Sequence, residues 1–298
     1  MASVGETARK YPQPEAPVSN QPGVLYVVAT PIGNLDDLSP RALLTLNEVS
    51  LIAAEDTRHS SKLLRHFGIL TPVTAFHEHN EREKTAELVA YLANGKSVAL
   101  ISDAGTPLVS DPGYRLVRAA HAAGMRVVPL PGACAAIVAL SASGLPSDRF
   151  AFEGFPPVKS AARRAWFEAL AGEPRTLIVY ESPHRIVESL HDMVAVFGAA
   201  REAVYARELT KQFETVRHAT LDELVRWVVD DVNQQRGEIV VLIHGATPAE
   251  AKTGDDAARI LRILIKELPV SQAAALAAEI TGQKKNRLYE LALQLKPE

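Results

Sequence analysis

Ile101–Gly113, ISDAGTPLVSDPG, is the stretch from which the rest of the chain can be read. Ahead of it, Ser97–Ser102 has the apolar character of a buried parallel strand. Behind it, Tyr114–Ala123 has helical spacing, with Leu116, Val117 and Ala120 on one face. Asp111 reads as the N-cap of that helix, Pro112 as its first residue and Gly124 as its stop. The loop between strand and helix therefore lies at a strand's carboxyl end, where open α/β sheets bind ligands. Gly105 permits a positive φ and a close ligand approach, Pro107 stiffens the second half of the loop, and Asp103 adds a carboxylate at the strand tip.

Upstream the same strand, tip and helix pattern repeats. Val24–Ala29 predicts a strand followed by Thr30-Pro31-Ile32-Gly33-Asn34, and Ser39 with Pro40 opens a helix that turns Ala42, Leu43 and Leu46 inward. Val49–Ala54 predicts a second strand, ending at Glu55-Asp56-Thr57-Arg58. A helix over Ser60–His66 leads to a strand near Val73–Phe76 and the tip His77-Glu78-His79, and Glu81–Ala93 is helical. Downstream, Arg126–Leu130 predicts a fifth strand, and Pro131-Gly132 opens an Ala-rich helix over Ala133–Ser143. This alternation argues for a parallel sheet covered on both faces. Pro31, Gly33, Asp56, His77, Asp103 and Gly132 all fall at strand carboxyl ends.

Gly144–Val158, GLPSDRFAFEGFPPV, is rich in Pro, Gly and Phe and reads as a connection between domains. Beyond it the pattern restarts: a helix over Ala161–Ala171, a strand at Thr176–Tyr180, and Ser182-Pro183 capping a helix over His184–Phe197. Ala203–Arg207 is another strand, Leu221–Val229 a helix, and Ile239–Ile243 an uninterrupted apolar run. Glu181, Arg207 with Glu208, and His244 stand at the tips of this second half. Lys211 and Glu214 follow, either on a solvated loop or facing a ligand. Thr247–Asp255 reads as a polar linker to three helices. These are an amphipathic Asp256–Leu268, a second capped by Ser271 and ending at Thr281-Gly282, and a third from Lys284 to Leu295. The last two, joined at a Gly, look like a helix-turn-helix. Lys284, Lys285 and Arg287 oppose the helix dipole, which leaves a phosphate backbone or a solvated face as their reason. The expected plan is a leader over 1–22, α/β domains over 23–143 and 159–246 joined by 144–158, and a helical tail over 255–298.

Composition bounds the function. The chain has 298 residues, 47% of them hydrophobic and 22% charged, which is ordinary for globular domains. With Lys+Arg 32 against Asp+Glu 35, the net charge is −3, so nucleic acid must be met by local patches and not by a global basic field. A single cysteine, Cys134, excludes an internal disulfide and fits a reducing cytosol. No apolar run approaches the roughly 18 residues of a membrane span, and Met1–Pro22, rich in Pro, Ser, Gln and Glu, predicts a disordered leader.

Three tempting motifs fail. Gly95-Lys96-Ser97 resembles the end of a phosphate-binding loop, but position 90 is Ala and the triplet precedes a strand. No G-x-G-x-x-G occurs, so a dinucleotide fold lacks its fingerprint. His77-Glu78-His79, with His59, invites a metal, yet no second ligand cluster has the required spacing, and hydrogen-bonded or exposed histidines account for it. Asp56 and Asp103 have an ordinary reading too, as N-cap or turn residues.

Taken in order, LYVVATPIGNLDDLSPRAL, IAAEDTRHS, ISDAGTPLVSDPGYRLVRAA, LPGACA, YESPHRI, ARELTK and GEIVVLI closely resemble the tetrapyrrole-methylase-like superfamily of S-adenosylmethionine methyltransferases. Within it the chain looks like the ribosomal RNA small subunit methyltransferase I group, which methylates the ribose 2′-oxygen of a cytidine in 16S rRNA. The likeness runs from Val24 to Ile243 and extends to the helical tail. TPIGNL, EDTR and SDAGTP are weak alone and specific together.

The resemblance implies two α/β domains with the cofactor, S-adenosylmethionine, in the cleft between them, and commonly a homodimer. It implies cofactor contacts at Pro31 and Gly33, at Asp103-Ala104-Gly105, where many relatives carry Gly-Asp-Pro, and at Thr106. It extends them to Cys134 and Ala135, where Ser or Thr then Ala or Ser is usual, and to the strand ends Tyr180 and Arg207. The reaction implied is in-line transfer from a sulfonium to a ribose hydroxyl, with no metal required. Glu55, Asp56 and Glu181 are then the proton-acceptor candidates, and Arg58 and Lys211 the phosphate or alkoxide partners. RNA phosphates fall to Arg163, Arg164, Lys211, Lys284, Lys285 and Arg287, on small-subunit rRNA or the assembled small subunit in the cytoplasm. Two other readings share the fold: a C-methyltransferase of a tetrapyrrole precursor, and a non-catalytic adaptor that senses the cofactor and binds RNA.

Overall fold

The computed structural model describes residues 22–247 and 256–295, in two compact units that meet at Ala133 and Cys134 in the chain. The leader expected over 1–22 and the linker expected over 247–255 lie almost wholly outside the described residues.

The first unit is a sheet of β1 (Val24–Val28), β2 (Leu51–Ala54), β3 (Val73–Ala75), β4 (Val98–Ile101) and β5 (Arg126–Leu130), in the order β3-β2-β4-β1-β5. Every neighbouring pair is parallel. β4 is buried at all its positions, with Ala99 opposite Tyr26 on one side and Ile52 on the other, which is why its sequence is continuously apolar. Helices α1 (Pro40–Glu48) and α2 (Thr57–His66) cover one face, setting Ala42, Leu46 and Leu64 against Val28, Ile52 and Ile101. Helices α3 (Glu81–Ala93) and α4 (Tyr114–Ala122) cover the other, setting Leu88, Leu92, Leu116 and Ala120 against Leu25, Ala53 and Leu100. The loops after the adjacent strands β1 and β4 therefore depart toward opposite faces, an arrangement that opens ligand sites at strand carboxyl ends.

Helix starts show where spacing alone succeeds and where it does not. Ser39 caps α1, accepting the Ala42 N–H at 3.1 Å with Pro40 first in the helix, as expected. α2 begins at Thr57, before the expected Ser60, because the Asp56 carboxylate accepts the N–H groups of Arg58 and His59. Asp111 is not the cap of α4. That helix follows Gly113 at φ 133, and the Glu81 carboxylate, from the first residue of α3, accepts the N–H groups of Gly113 and Arg115 at 3.1 Å each. Leu108 and Ser110, at φ 73 and 68, turn the loop so that Asp111 meets Ser102 instead.

In the second unit, β6 (Phe150–Gly154), β7 (Thr176–Glu181), β8 (Glu202–Arg207), β9 (Thr215–Thr220) and β10 (Ile239–Ile243) take the order β6-β7-β10-β8-β9. The sheet is mixed. β6 and β7 are parallel, while β10 runs antiparallel to both β7 and β8, and β9 antiparallel to β8. The run IVVLI of β10 is central and buried throughout. Helices α6 (Ser160–Leu170), α7 (Ile186–Phe197) and α8 (Leu221–Asp230) bury Phe167, Leu190, Met193 and Leu224 against one face. Helix α5 (Ala135–Ser143) packs on β7, β8, β9 and β10.

Four sequence expectations change here. The segment read as a pure connection contains β6, whose Phe150-Ala151-Phe152 alternation is hidden among prolines and glycines. The helix assigned with the first domain is α5, which belongs to the second unit because its apolar surface faces that sheet. β9 was not foreseen: it is an edge strand with no fully buried residue, so TVRHAT carries no apolar run. α7 starts at Ile186, and Ser182 accepts only the His184 N–H at 3.4 Å.

The tail forms three helices, α9 (Asp256–Leu264), α10 (Val270–Thr281) and α11 (Lys285–Leu295), around Leu261, Ala273, Ala277, Leu288 and Ala292. Gly282 turns between the last two at φ 66. Pro269, not Ser271, stands at the start of α10, with no side-chain cap. Among the described residues no helix is long and apolar enough to cross a membrane.

Candidate functional site

In the first unit the chemistry gathers where β1, β2 and β4 end. Thr30 and Gly105 exchange backbone hydrogen bonds at 2.8 and 3.0 Å, which clamps the tip of β1 to the loop after β4. Gly105 has φ +82, as expected, and a Cβ there would stand 3.3 Å from the Ile32 side chain. Thr106 donates its hydroxyl to Ala133 O at 2.9 Å. Pro31 is buried beside this clamp, while Gly33 is exposed.

Three carboxyl groups meet at these tips. Asp103 accepts the Asp56 N–H at 3.1 Å, and Glu55 accepts a hydrogen bond from the Asp103 backbone. Burial and the charge of Asp103 raise the Glu55 pKa. Asp111, hydrogen-bonded by Ser102, is pushed up to about 7 by burial and by the charges of Glu55 and Asp103. His77, at the tip of β3, acts on Glu55 in the opposite sense, and among the described residues its buried Nδ1 has no hydrogen-bond partner. Asp56 differs from this trio. Hydrogen bonds from the Arg58 and His59 N–H groups hold its carboxyl below the usual range. The Arg58 side chain, 92% exposed, reaches out from the same turn. Among the described residues no group of three or more His, Cys, Asp or Glu side chains is arranged to hold a metal ion.

In the second unit the expected residues divide by how much of each is already engaged. The Tyr180 hydroxyl accepts the Ala136 N–H at 3.1 Å, and its ring meets Phe152 and Phe155 edge-on. Cys134 stands before α5 without capping it, and Ala135 is the first residue of that helix. Arg207, 7% exposed, donates to Gln234, Arg236, Phe213 and Thr215, so its guanidinium ties the end of β8 to two neighbouring segments. Glu181 is 2% exposed; one carboxylate oxygen takes the Ser182 N–H and the Arg185 Nε, and the other has no partner among the described residues. Lys211 is bridged to Glu208 at 2.8 Å and Glu238 at 3.1 Å. Burial works to lower its pKa, but the two carboxylates outweigh that and raise it.

The RNA-facing expectations divide as well. Arg163 is corrected: its side chain is 0% exposed, sealed against Asp192 at 2.7 Å, and no phosphate reaches it. Arg164 shares that carboxylate but stays half exposed. Lys285 and Arg287 are exposed on the first turn of α11, and Lys284 is exposed immediately before it. The roles of Asp111 and Arg185 escaped the sequence reading. A signal for the first was present in the repeat of Ser-Asp at Ser102-Asp103 and Ser110-Asp111; Arg185 had none beyond lying four residues after Glu181.

Comparison with known proteins accounts for this layout. The family described as Tetrapyrrole (Corrin/Porphyrin) Methylases matches residues 24–225, and the RsmI C-terminal HTH domain matches residues 251–296. The ribosomal RNA small subunit methyltransferase I of Pseudomonas aeruginosa is 63% identical over 274 residues, covering 91% of this chain and 97% of that one. Its namesake in Escherichia coli O157:H7 is 56% identical over 275 residues, with 92% and 96% covered. Among solved structures, uroporphyrin-III C-methyltransferase from Thermus thermophilus, complexed with S-adenyl homocysteine, aligns at TM-score 0.52 and 18% identity over 74% of this chain and 97% of that one, a likeness of fold. The chain belongs to the ribosomal RNA small subunit methyltransferase I family, within the tetrapyrrole methylases.

Proposed function

We propose that this chain methylates the ribose 2′-oxygen of a cytidine in small-subunit 16S rRNA, using S-adenosylmethionine, with the assembled small subunit as its substrate. The observation that carries the reading is the unbroken likeness to relatives named for that rRNA, which takes in the C-terminal helices as well as both sheets. The carboxyl trio of Glu55, Asp103 and Asp111 supports the cofactor. A site where the charge of Asp103 raises the pKa of both Glu55 and Asp111 suits a ligand bearing positive charge, and this donor carries both a sulfonium and an ammonium. Bound there, it would supply an activated methyl group that needs no further chemical activation.

The work left to the protein is orientation, exclusion of water and disposal of one proton. Glu55 suits the proton: it is half-buried, and its raised pKa makes it a stronger base than Asp56, whose carboxylate is occupied in capping α2. Arg58, exposed on the same turn, is assigned to an RNA phosphate, and Lys211, held between two glutamates, to the acceptor side. Pro31, Asp103, Ala104, Gly105, Thr106, Cys134, Ala135 and Tyr180 are assigned to the cofactor, and Arg164 with the α11 cations to RNA. The same reading includes a homodimer, as the superfamily resemblance implies, in the cytoplasm, where small subunits assemble.

The test is incorporation of label from S-adenosylmethionine into small subunits or tetrapyrroles by the pure chain, followed by mapping of 2′-O-methyl positions in 16S rRNA. Label at a cytidine ribose is expected. Label in the tetrapyrrole, or cofactor binding with no transfer, would overturn the reading in favour of one of the two other functions the fold permits.

A further inference from the structure

Arg185 is the N-cap residue of α7, and its own side chain makes no capping hydrogen bond. Its Nε donates to Glu181, whose side chain is 0% exposed and also holds the Ser182 N–H at 2.7 Å. A sealed carboxylate requires its counter-charge, so this contact fixes the guanidinium in place. Among the described residues Nε is the only side-chain atom of Arg185 with a partner, and the side chain is 15% exposed. Two terminal nitrogens are left with donors to offer. A cation at a helix N-terminus works against the dipole, so its position serves something other than helix stability. Both the guanidinium and the free helix end favour an anion.

Three other cations of the second unit are already committed. Arg163 is sealed on Asp192, Arg207 donates to four protein oxygens, and Lys211 is shared by two glutamates. Arg185 therefore has what these lack: an oriented planar fork with unused N–H groups, the geometry that suits paired phosphate oxygens. We propose that Arg185, held by the buried carboxylate of Glu181, binds a phosphodiester of the RNA substrate. Glu181 is then a positioning residue and not a proton acceptor, since its carboxylate is closed to solvent. The assignment rests on the rRNA-methylating reading above.

The test uses the full chain and small subunits. Methyl incorporation is followed against subunit concentration at several salt concentrations, and S-adenosylhomocysteine affinity is measured by calorimetry. The paired variant Glu181→Gln/Arg185→Gln keeps the buried pair neutral and hydrogen-bonded. Its KM for subunits is expected to rise about tenfold, with a salt slope shallower by about one ion and with kcat and S-adenosylhomocysteine affinity unchanged. Arg185→Lys is the second variant; its single nitrogen goes to Glu181, so the same rise in KM is expected. A wild-type KM and salt slope, in whichever variant keeps the wild-type melting temperature, overturns the assignment. A wild-type chain that binds S-adenosylhomocysteine yet leaves subunits unmethylated overturns the rRNA reading itself, and the Arg185 assignment with it.

Discussion

Asp103 and Asp56 are joined across the sheet: an oxygen of the Asp103 carboxylate accepts the Asp56 backbone N–H at 3.1 Å, while the Asp56 carboxylate caps α2. The two residues look equivalent in sequence, each an aspartate at a strand tip. In the fold one serves a helix, and the other ties β2 to β4 and stands among Glu55 and Asp111. Their substitutions should therefore differ in kind.

Asp103→Asn keeps the acceptor oxygen and removes the charge. Affinity for S-adenosylmethionine should fall about tenfold, the effect of one unit charge several ångströms from a cation at intermediate dielectric. S-adenosylhomocysteine lacks the sulfonium, so its affinity should fall by only about threefold on the same scale. Calorimetry on both ligands checks this, and equal losses would place Asp103 away from the sulfonium.

Asp111 gives a pH signature. Its carboxyl is raised from 3.8 to about 7, so the folded state prefers it protonated. Its contribution to stability is full below pH 3.8 and is lost as pH rises through about 7. Asp111→Asn should match wild type near pH 4 and be more stable at pH 8. Because the group is partly open to solvent, the gain is about 1 kcal/mol, a rise of about 2–4 °C in Tm. Donor affinity should move the other way in the wild type, weakening as acid removes a negative charge. Melting curves across this range decide it; a constant offset between the two proteins would exclude the titration.

Arg163 makes the opposite case, a basic residue that belongs to the interior. Arg163→Ala leaves the sealed Asp192 carboxylate with only the half-exposed Arg164 for counter-charge and the Ser160 hydroxyl as a neutral donor, and should cost about 3 kcal/mol in urea unfolding. The salt slope of subunit binding should not change. A shallower slope in a fully folded variant would return Arg163 to the RNA-facing surface.

These contrasts mark how much the sequence disclosed. The parallel first sheet was legible because Val98–Ile101 is buried at every position and Val24–Val28 buries Leu25 on one face and Val28 on the other, so both runs are apolar. Gly105 was legible because a positive φ selects glycine. β9 was not, because an exposed edge needs no apolar run, nor was β6, placed between turn residues. Arg163 misled because Arg-Arg reads as a surface pair; its partner Asp192 is 29 residues away, and only tertiary packing joins them. Asp111 misled because Asp-Pro-Gly before a helix fits a cap, whereas Glu81 supplies that function from another helix.

The tail offers two effects of opposite sign in one variant. Lys284, Lys285 and Arg287 are exposed at the start of α11, where positive charge opposes the helix dipole. Replacing all three with Gln should stabilise the helix by about 0.3 kcal/mol for each removed charge, about 1 kcal/mol in all. If the same residues meet RNA phosphates, subunit binding should weaken and its salt slope should fall by about two to three ions, with S-adenosylhomocysteine affinity unchanged. A purely structural role predicts the reverse: lower stability and an unaltered slope. Because a solvated face would show neither loss, circular dichroism melting and salt-dependent subunit binding on this one variant separate all three roles of the cluster.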